Sequence, residues 1–255
     1  MKLLTFSANS IKEKEYEKKL IYFTEWLSKN DYDIVAIQEA NQTINSDYVN
    51  FDELENYIPS NEHIAIKNDN YLLRVVGILQ LRGKNYYWTW TPIKLGEGKY
   101  EIGIGIISKH IPKEIKEFYL TSSKSYTNYK VKKAIGIKVE IEGEDRWFFS
   151  IQTGSIDDEE EKFEKQILKL NKELVFIDED IYLLGEFDGK IEGYERIKAS
   201  GWNDAVELSE KLEEVKVKNS YIFKNNSKKV KKLRMIFNGQ NGDAISKNIG
   251  LEMEE

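Results

Sequence analysis

Apolar positions along the chain change period in a definite succession. Residues 2–7 form an apolar strand, and residues 13–29 place Tyr16, Leu20, Phe23 and Leu27 on one helical face. Residues 33–38 return to a buried strand. This β-α-β opening predicts an α/β (α+β) protein with helices on the outer faces of mixed sheets. A second helix is predicted over 74–81, ended by Gly83, and strands follow over 86–91, 102–107, 133–141 and 146–152. The run Asp157-Asp158-Glu159-Glu160-Glu161 reads as a first helical turn, where carboxylates meet the positive end of the dipole. That helix carries Phe163, Ile167, Leu168 and Leu170 to about residue 175. A strand over 181–184, a helix over 194–199 and strands over 221–223, 234–237 and 249–253 close the chain, and no internal repeat is visible.

Composition narrows the chemistry. With 255 residues, 40% apolar content and no long Pro/Gly/Ser-rich linker, residues 1–255 are expected to form a single domain. No apolar run approaches the roughly 20 residues of a membrane-spanning helix, and the first residues read as a strand, so a cytoplasmic protein without a membrane span is expected. The absence of cysteine excludes disulfides and thiolate chemistry, and two histidines leave little room for zinc. A net charge of 38 − 44 = −6 makes nucleic acid an unlikely partner, because backbone binding needs a basic footprint. Lys228-Lys229-Val230-Lys231-Lys232 reads as a solvated turn between strands. Tyr86, Trp88 and Trp90 share one strand face, and core packing suits them better than ligand stacking. Gly96-Glu97-Gly98 is too short for a phosphate loop and reads as a mobile turn near the pocket mouth.

Several phrases occur in a telling order: Thr5-Phe6-Ser7, Ile34-Val35-Ala36-Ile37-Gln38-Glu39, Gly103-Ile104-Gly105-Ile106-Ile107-Ser108-Lys109-His110, Ile151-Gln152-Thr153-Gly154, Leu184-Gly185-Glu186-Phe187-Asp188 and Ser246-Lys247-Asn248. Together they resemble, nearly end to end, the magnesium-dependent endonuclease/exonuclease/phosphatase superfamily, whose fold is that of pancreatic deoxyribonuclease. Trp147-Phe148-Phe149 and Gly201-Trp202-Asn203-Asp204 look like a bacterial branch of phosphatase or phosphodiesterase character. The resemblance implies a four-layer α-β-β-α sandwich of two packed mixed sheets. It also implies a divalent cation held by carboxylates, a histidine–carboxylate pair that prepares water, and a second histidine on the phosphate.

Against that pattern, most positions of the implied site are substituted. Ser7 stands where the family has asparagine, Ile102 where a glutamate commonly precedes the Gly-Ile-Gly-Ile strand, and Gln152 where a histidine precedes Thr-Gly. The Gly-Asp-Phe-Asn turn reads Gly185-Glu186-Phe187-Asp188, Ser220 replaces the aspartate before Tyr221-Ile222-Phe223, and the terminal Asp-His pair is Lys247-Asn248. Glu39 alone is unchanged. His63 and His110 lie elsewhere in the pattern and are expected to have surface or packing roles.

The expectation is a catalytically inactive relative that keeps a remodelled cleft for a phosphorylated ligand, a sugar or a protein partner, with no cofactor. The alternative is a weak or altered phosphoesterase, with Glu39, Glu186 and Asp188 holding Mg2+ and with Gln152 and Asn248 orienting phosphate. A third reading is an inactivated variant with a structural role. Lys247 either pairs with Glu39 and stands in for the lost cation or points to solvent.

Overall fold

The computed structural model describes residues 1–61, 63–188, 190–213, 220–239, 244–246 and 248–255. The strands are β1 (Lys2–Ser7), β2 (Ile34–Thr43), β3 (Tyr87–Gly96), β4 (Tyr100–Ser108), β5 (Glu114–Tyr119), β6 (Lys133–Ile141), β7 (Glu144–Gln152), β8 (Asp180–Glu186), β9 (Asn203–Asp204), β10 (Leu212–Glu213), β11 (Ser220–Lys224), β12 (Lys232–Ile236) and β13 (Gly250–Glu254). The α-helices are α1 (Tyr16–Asn30), α2 (Tyr71–Leu81), α3 (Phe163–Leu174) and α4 (Ile191–Ala199). One sheet runs β10-β12-β13-β1-β2-β4-β3, and the other runs β5-β6-β7-β8-β11-β9. Both are mixed: β1 is parallel to β2 and β7 to β8, while β2 is antiparallel to β4 and β6 to β7.

Strand alternation sorts the apolar residues into layers. Leu4, Phe6, Val35 and Ile37 pack outward against Leu20, Phe23 and Leu27 of α1 and Leu72, Val75 and Leu79 of α2. Leu3, Ile34 and Ala36 face the opposite sheet, where they meet Ile137, Phe148, Tyr182 and Leu184. On the far side of that sheet, Phe149, Ile151 and Leu183 cover Phe163, Ile167 and Leu170 of α3 and Ile197 of α4. The result is the expected four-layer α-β-β-α sandwich. Each fully buried large apolar side chain contributes roughly 1.5–3 kcal/mol to it.

Local differences from the sequence expectation have local causes. Asn70 Oδ1 accepts from the amides of Leu72 and Leu73 at 3.0 and 3.3 Å, so α2 starts before residue 74. The acidic run does not form the first turn of α3, which begins at Phe163. Asp158 instead accepts from the amides of Glu160 and Glu161, and Glu161 from those of Ser122 and Ser123 at 2.8 and 2.7 Å. β5, an edge strand with charged residues at three of its six positions, lacks the apolar alternation by which strands are found. Tyr86, Trp88 and Trp90 are buried in the core beneath α1 and α2, as expected. Glu97 and Gly98, both with positive φ, form the hairpin turn between β3 and β4. Lys228 pairs with Asp180 and Glu144, Lys229 with Glu210, and Lys232 with Glu213, so that basic run is spent on local carboxylates.

One buried carboxamide ties the two sheets together. Gln38 Nε2 donates across the interface to Ser150 Oγ at 3.0 Å and to the Leu184 carbonyl at 3.2 Å, while its Oε1 accepts from Thr5 Oγ1 at 3.2 Å. Ser150 Oγ returns a bond to the Ile37 carbonyl at 3.3 Å. Truncation as Gln38→Ala strands these groups in a dry interface and is expected to cost about 2–4 kcal/mol in urea denaturation. A loss no larger than that of an ordinary surface substitution would show that the sheets hold their register without it.

Candidate functional site

The inward-facing alternation that fills the sheet interface turns polar at one end of the sandwich. On β7 it runs Phe148, Ser150, Gln152, and on β8 it runs Tyr182, Leu184, Glu186, with Gln152 and Glu186 paired in register. Ser7 ends β1, Ser220 opens β11 opposite Glu186, and Asn248 lies just before β13. A cleft of about 290 Å³ opens here, lined by Gln152, Thr153, Gly154, Ser155, Glu186, Phe187 and Asp188.

Two β-bulges flank β4 and re-aim one side chain each. Between Ile37 and Ala40 the β2–β4 register shifts, and Glu39 takes a left-handed backbone with φ 49°. The Trp90 indole holds this kink by donating to the Ala40 carbonyl at 2.8 Å. Gly103 permits it, since a Cβ there would lie 2.4 Å from the indole nitrogen. A second shift falls between Pro92 and Lys94 in the β3–β4 pairing. Lys94 Nζ donates to the Tyr129 carbonyl at 2.7 Å, and its charge acts on Lys132.

Glu39, Glu186, Lys94 and Lys132 form one electrostatic cluster. Burial, and then the neighbouring Glu39 charge, push the Glu186 carboxyl above its ordinary range. Gln152 Nε2 opposes this by donating to Glu186 Oε2 at 2.6 Å. The buried Ser7 hydroxyl faces the same carboxylate but has no hydrogen-bond partner of good geometry. Burial also lowers Lys94, against the pull of Glu39 and Glu186. Lys132 is pushed down to about 8 by burial and by the Lys94 ammonium beside it. Among the described residues, neither lysine closes an ion pair with a carboxylate within 4.0 Å. Gln152 Oε1 and Thr153 Oγ1 are also buried and have no hydrogen-bond partner among the described residues.

Other residues singled out from the sequence are engaged elsewhere. Asp188 accepts from the amide of Ile156 with one oxygen and from that of Lys190 with the other, which shapes the loops on either side of the cleft. Asn248 Nδ2 donates to the Ser7 carbonyl at 3.2 Å, and the Ser220 hydroxyl donates to the Ile249 carbonyl at 3.3 Å. Ile102 packs over Gly96. His110 Nε2 contacts Asp33 at 2.7 Å and His63 is exposed, outside the cleft. Lys247 lies outside the described residues.

This donor set does not suit a divalent cation of the kind the resemblance implies. Magnesium needs near-octahedral oxygen ligands. Among the described residues no three carboxylate or imidazole groups converge: Glu39 and Glu186 come together, but Asp188 does not join them. Two lysine charges already act on the two glutamates. Sequence reasoning missed both lysines. A proline inside a strand two residues before Lys94 was the available sign of a bulge. Of the adjacent Lys132 and Lys133, only Lys132 acts on Glu39 and Glu186, whereas Lys133 donates to Thr91 at 3.1 Å.

Two outcomes follow from this geometry. Glu39→Gly removes both a left-handed non-glycine residue and a carboxylate facing Glu186, and is expected to raise stability by about 1 kcal/mol in denaturant titrations; a fall would mean that the Glu39 side chain stabilises the fold. For Lys132, the folded value of about 8 lies below its ordinary 10.5, so between these pH values the unfolded chain binds more protons. Stability should therefore rise from pH 8 to 10.5, by on the order of 2 kcal/mol, and the rise should vanish in Lys132→Met. An unchanged slope in that variant would place the titration elsewhere.

No protein-family profile and no curated protein matches the chain. Among solved structures, it is similar to an endonuclease/exonuclease/phosphatase family protein from Leptotrichia buccalis, with 26% identity and a TM-score of 0.89 over 100% of this chain and 98% of that one. It is similar in fold to the mannosyl-6-phosphatase of Bacteroides thetaiotaomicron, at 10% identity and a TM-score of 0.66, covering 100% and 98% of the two chains. A Neisseria 3′ phosphatase bound to a product DNA hairpin matches at 13% identity and a TM-score of 0.60, with the same coverage. The chain carries the endonuclease/exonuclease/phosphatase fold that its ordered sequence phrases imply.

Proposed function

We propose that the chain is a non-hydrolytic relative of the phosphoesterases that binds a phosphorylated small molecule through lysine rather than through a metal ion. The observation that carries this reading is the Lys94–Lys132 pair beside Glu39 and Glu186, where a catalytic relative would need a cation. Two ammonium groups neutralise two carboxylates, and lysine binds phosphate as a point charge. Glutamine at 152 and asparagine at 248 offer hydrogen bonds but no proton to transfer near neutral pH. General acid-base help is worth about 10²–10⁴ in rate, so its loss together with the metal leaves no efficient route to hydrolysis. Such a ligand is met in the cytoplasm, where phosphorylated metabolites accumulate, and no helix among the described residues is long and apolar enough to cross a membrane.

Thermal unfolding with phosphate, sugar phosphates or magnesium separates this reading from a metal-dependent phosphoesterase. A phosphorylated ligand at 100 times its Kd should add about 2.7 kcal/mol and raise the Tm by several degrees, and Lys94→Ala should remove the shift. Millimolar magnesium should leave the Tm nearly unchanged. Metal-dependent turnover of any DNA, nucleotide, phospholipid or sugar phosphate, abolished by Glu39→Gln, would overturn the proposal.

A further inference from the structure

We propose that the outer face of the α3–α4 layer is a self-association surface, on which Phe176 of each copy of this chain enters an apolar groove on a second copy. The surface is separate from the cleft: the groove meets β8 at Ile181, near its start, whereas the cleft holds Glu186 at its end. The groove has a volume of about 300 Å³, and Leu174, Ile177, Ile181 and Trp202 supply most of its apolar lining. A cavity of about 150 Å³ suffices to hold a benzene ring, so a phenylalanine side chain fits. The polar side chains at the groove bond to one another and to the backbone. Trp202 Nε1 donates to Asn171 Oδ1 at 2.9 Å, and Asn171 Nδ2 donates to the Ser200 carbonyl at 3.4 Å. Asn225 accepts from the Ile181 amide at 2.8 Å and donates to the Glu179 carbonyl at 3.1 Å. An occupant is therefore selected by shape and apolar contact.

The matching knob stands at the rim of the same groove. Val175 and Ile177 line it, but Phe176 between them is 92% exposed and stands in solvent instead of filling it. Leu168 of α3 and Val175 at its C-cap, on one helical face, are 69% and 65% exposed and extend the apolar surface. Knob and groove each leave apolar area in water. A twofold interface buries both at once, because each copy presents the same ring and the same groove. The charges around the ring suit that symmetry. Lys172, four residues before Phe176, and Asp178, two residues after it, are exposed, and among the described residues neither has an ion-pair partner within 4.0 Å. A twofold axis beside Phe176 sets Lys172 of each copy against Asp178 of the other, which closes two pairs of opposite sign at the rim.

Sedimentation equilibrium of the intact chain tests this directly. At concentrations up to about 100 μM the mass should rise to twice the 29.9 kDa of one copy. Phe176→Ser removes two rings from the centre of each dimer and should weaken association by about 10²–10³-fold. The ring is exposed in the single copy, so circular dichroism of that variant should match the unsubstituted chain. Lys172→Glu should weaken association roughly tenfold, and adding Asp178→Lys should restore it. A chain that stays monomeric at this concentration, or a dimer that Phe176→Ser leaves unchanged, overturns the proposal. A monomer that binds an apolar dye, with the binding lost in Phe176→Ser, also overturns it and assigns the face to a different occupant. A double charge variant that associates no better than Lys172→Glu alone overturns the twofold arrangement.

Discussion

The spacing of the cleft depends on the carboxamide of Gln38. Apolar packing between sheets is non-directional, so Leu3, Ile34 and Ala36 against Phe148, Tyr182 and Leu184 favour contact without fixing how far one sheet slides over the other. The Gln38 bonds to Ser150 and to the Leu184 carbonyl add direction. They lie one residue from Glu39 on β2 and two residues from Gln152 and Glu186 on β7 and β8. A slip between the sheets would unmake this network and separate Glu39 from Glu186 in one movement.

Much of this architecture is legible in the residues. The change of hydrophobic period located the β-α-β opening, β6 and the closing strands, and the ordered phrases gave the layer arrangement. The edge strand β5 escaped because its charged residues Glu114, Lys116 and Glu117 fall on both faces and break the apolar alternation. The start of α3 escaped because Asp158 and Glu161 serve loop amides, a long-range use of carboxylates that sequence spacing does not distinguish from helix capping. The same limit applies at the site. Glu39, Glu186 and Gln152 were visible as phrases, and the structure brings them together. Lys94 and Lys132 were not, since their meeting depends on a bulge in β3 and on the approach of β6 from the other sheet.

Electrostatics explains why the substitutions form a set. Two unit charges of like sign about 4 Å apart repel by roughly 4 kcal/mol at the effective dielectric of a protein surface. Burial is the larger cause of the upward displacement of Glu186, and the repulsion from Glu39 adds to it. The nearby Lys94 and Lys132 charges relieve that repulsion without closing an ion pair among the described residues. Ser7, Ile102 and Ser220 add no further anion, which keeps the cluster near neutrality.

The lysine pair also shapes the routes by which sequences can leave this state. Restoring a carboxylate at position 102 or 220 while both lysines remain adds an anion but provides no cage for a metal. Removing the lysines first exposes Glu39 and Glu186 to each other with no cation between them. Either single step leaves charge uncompensated, since each change balances only with the others. The lysines and the carboxylates are therefore coupled, and exchanging one chemistry for the other takes several replacements at once.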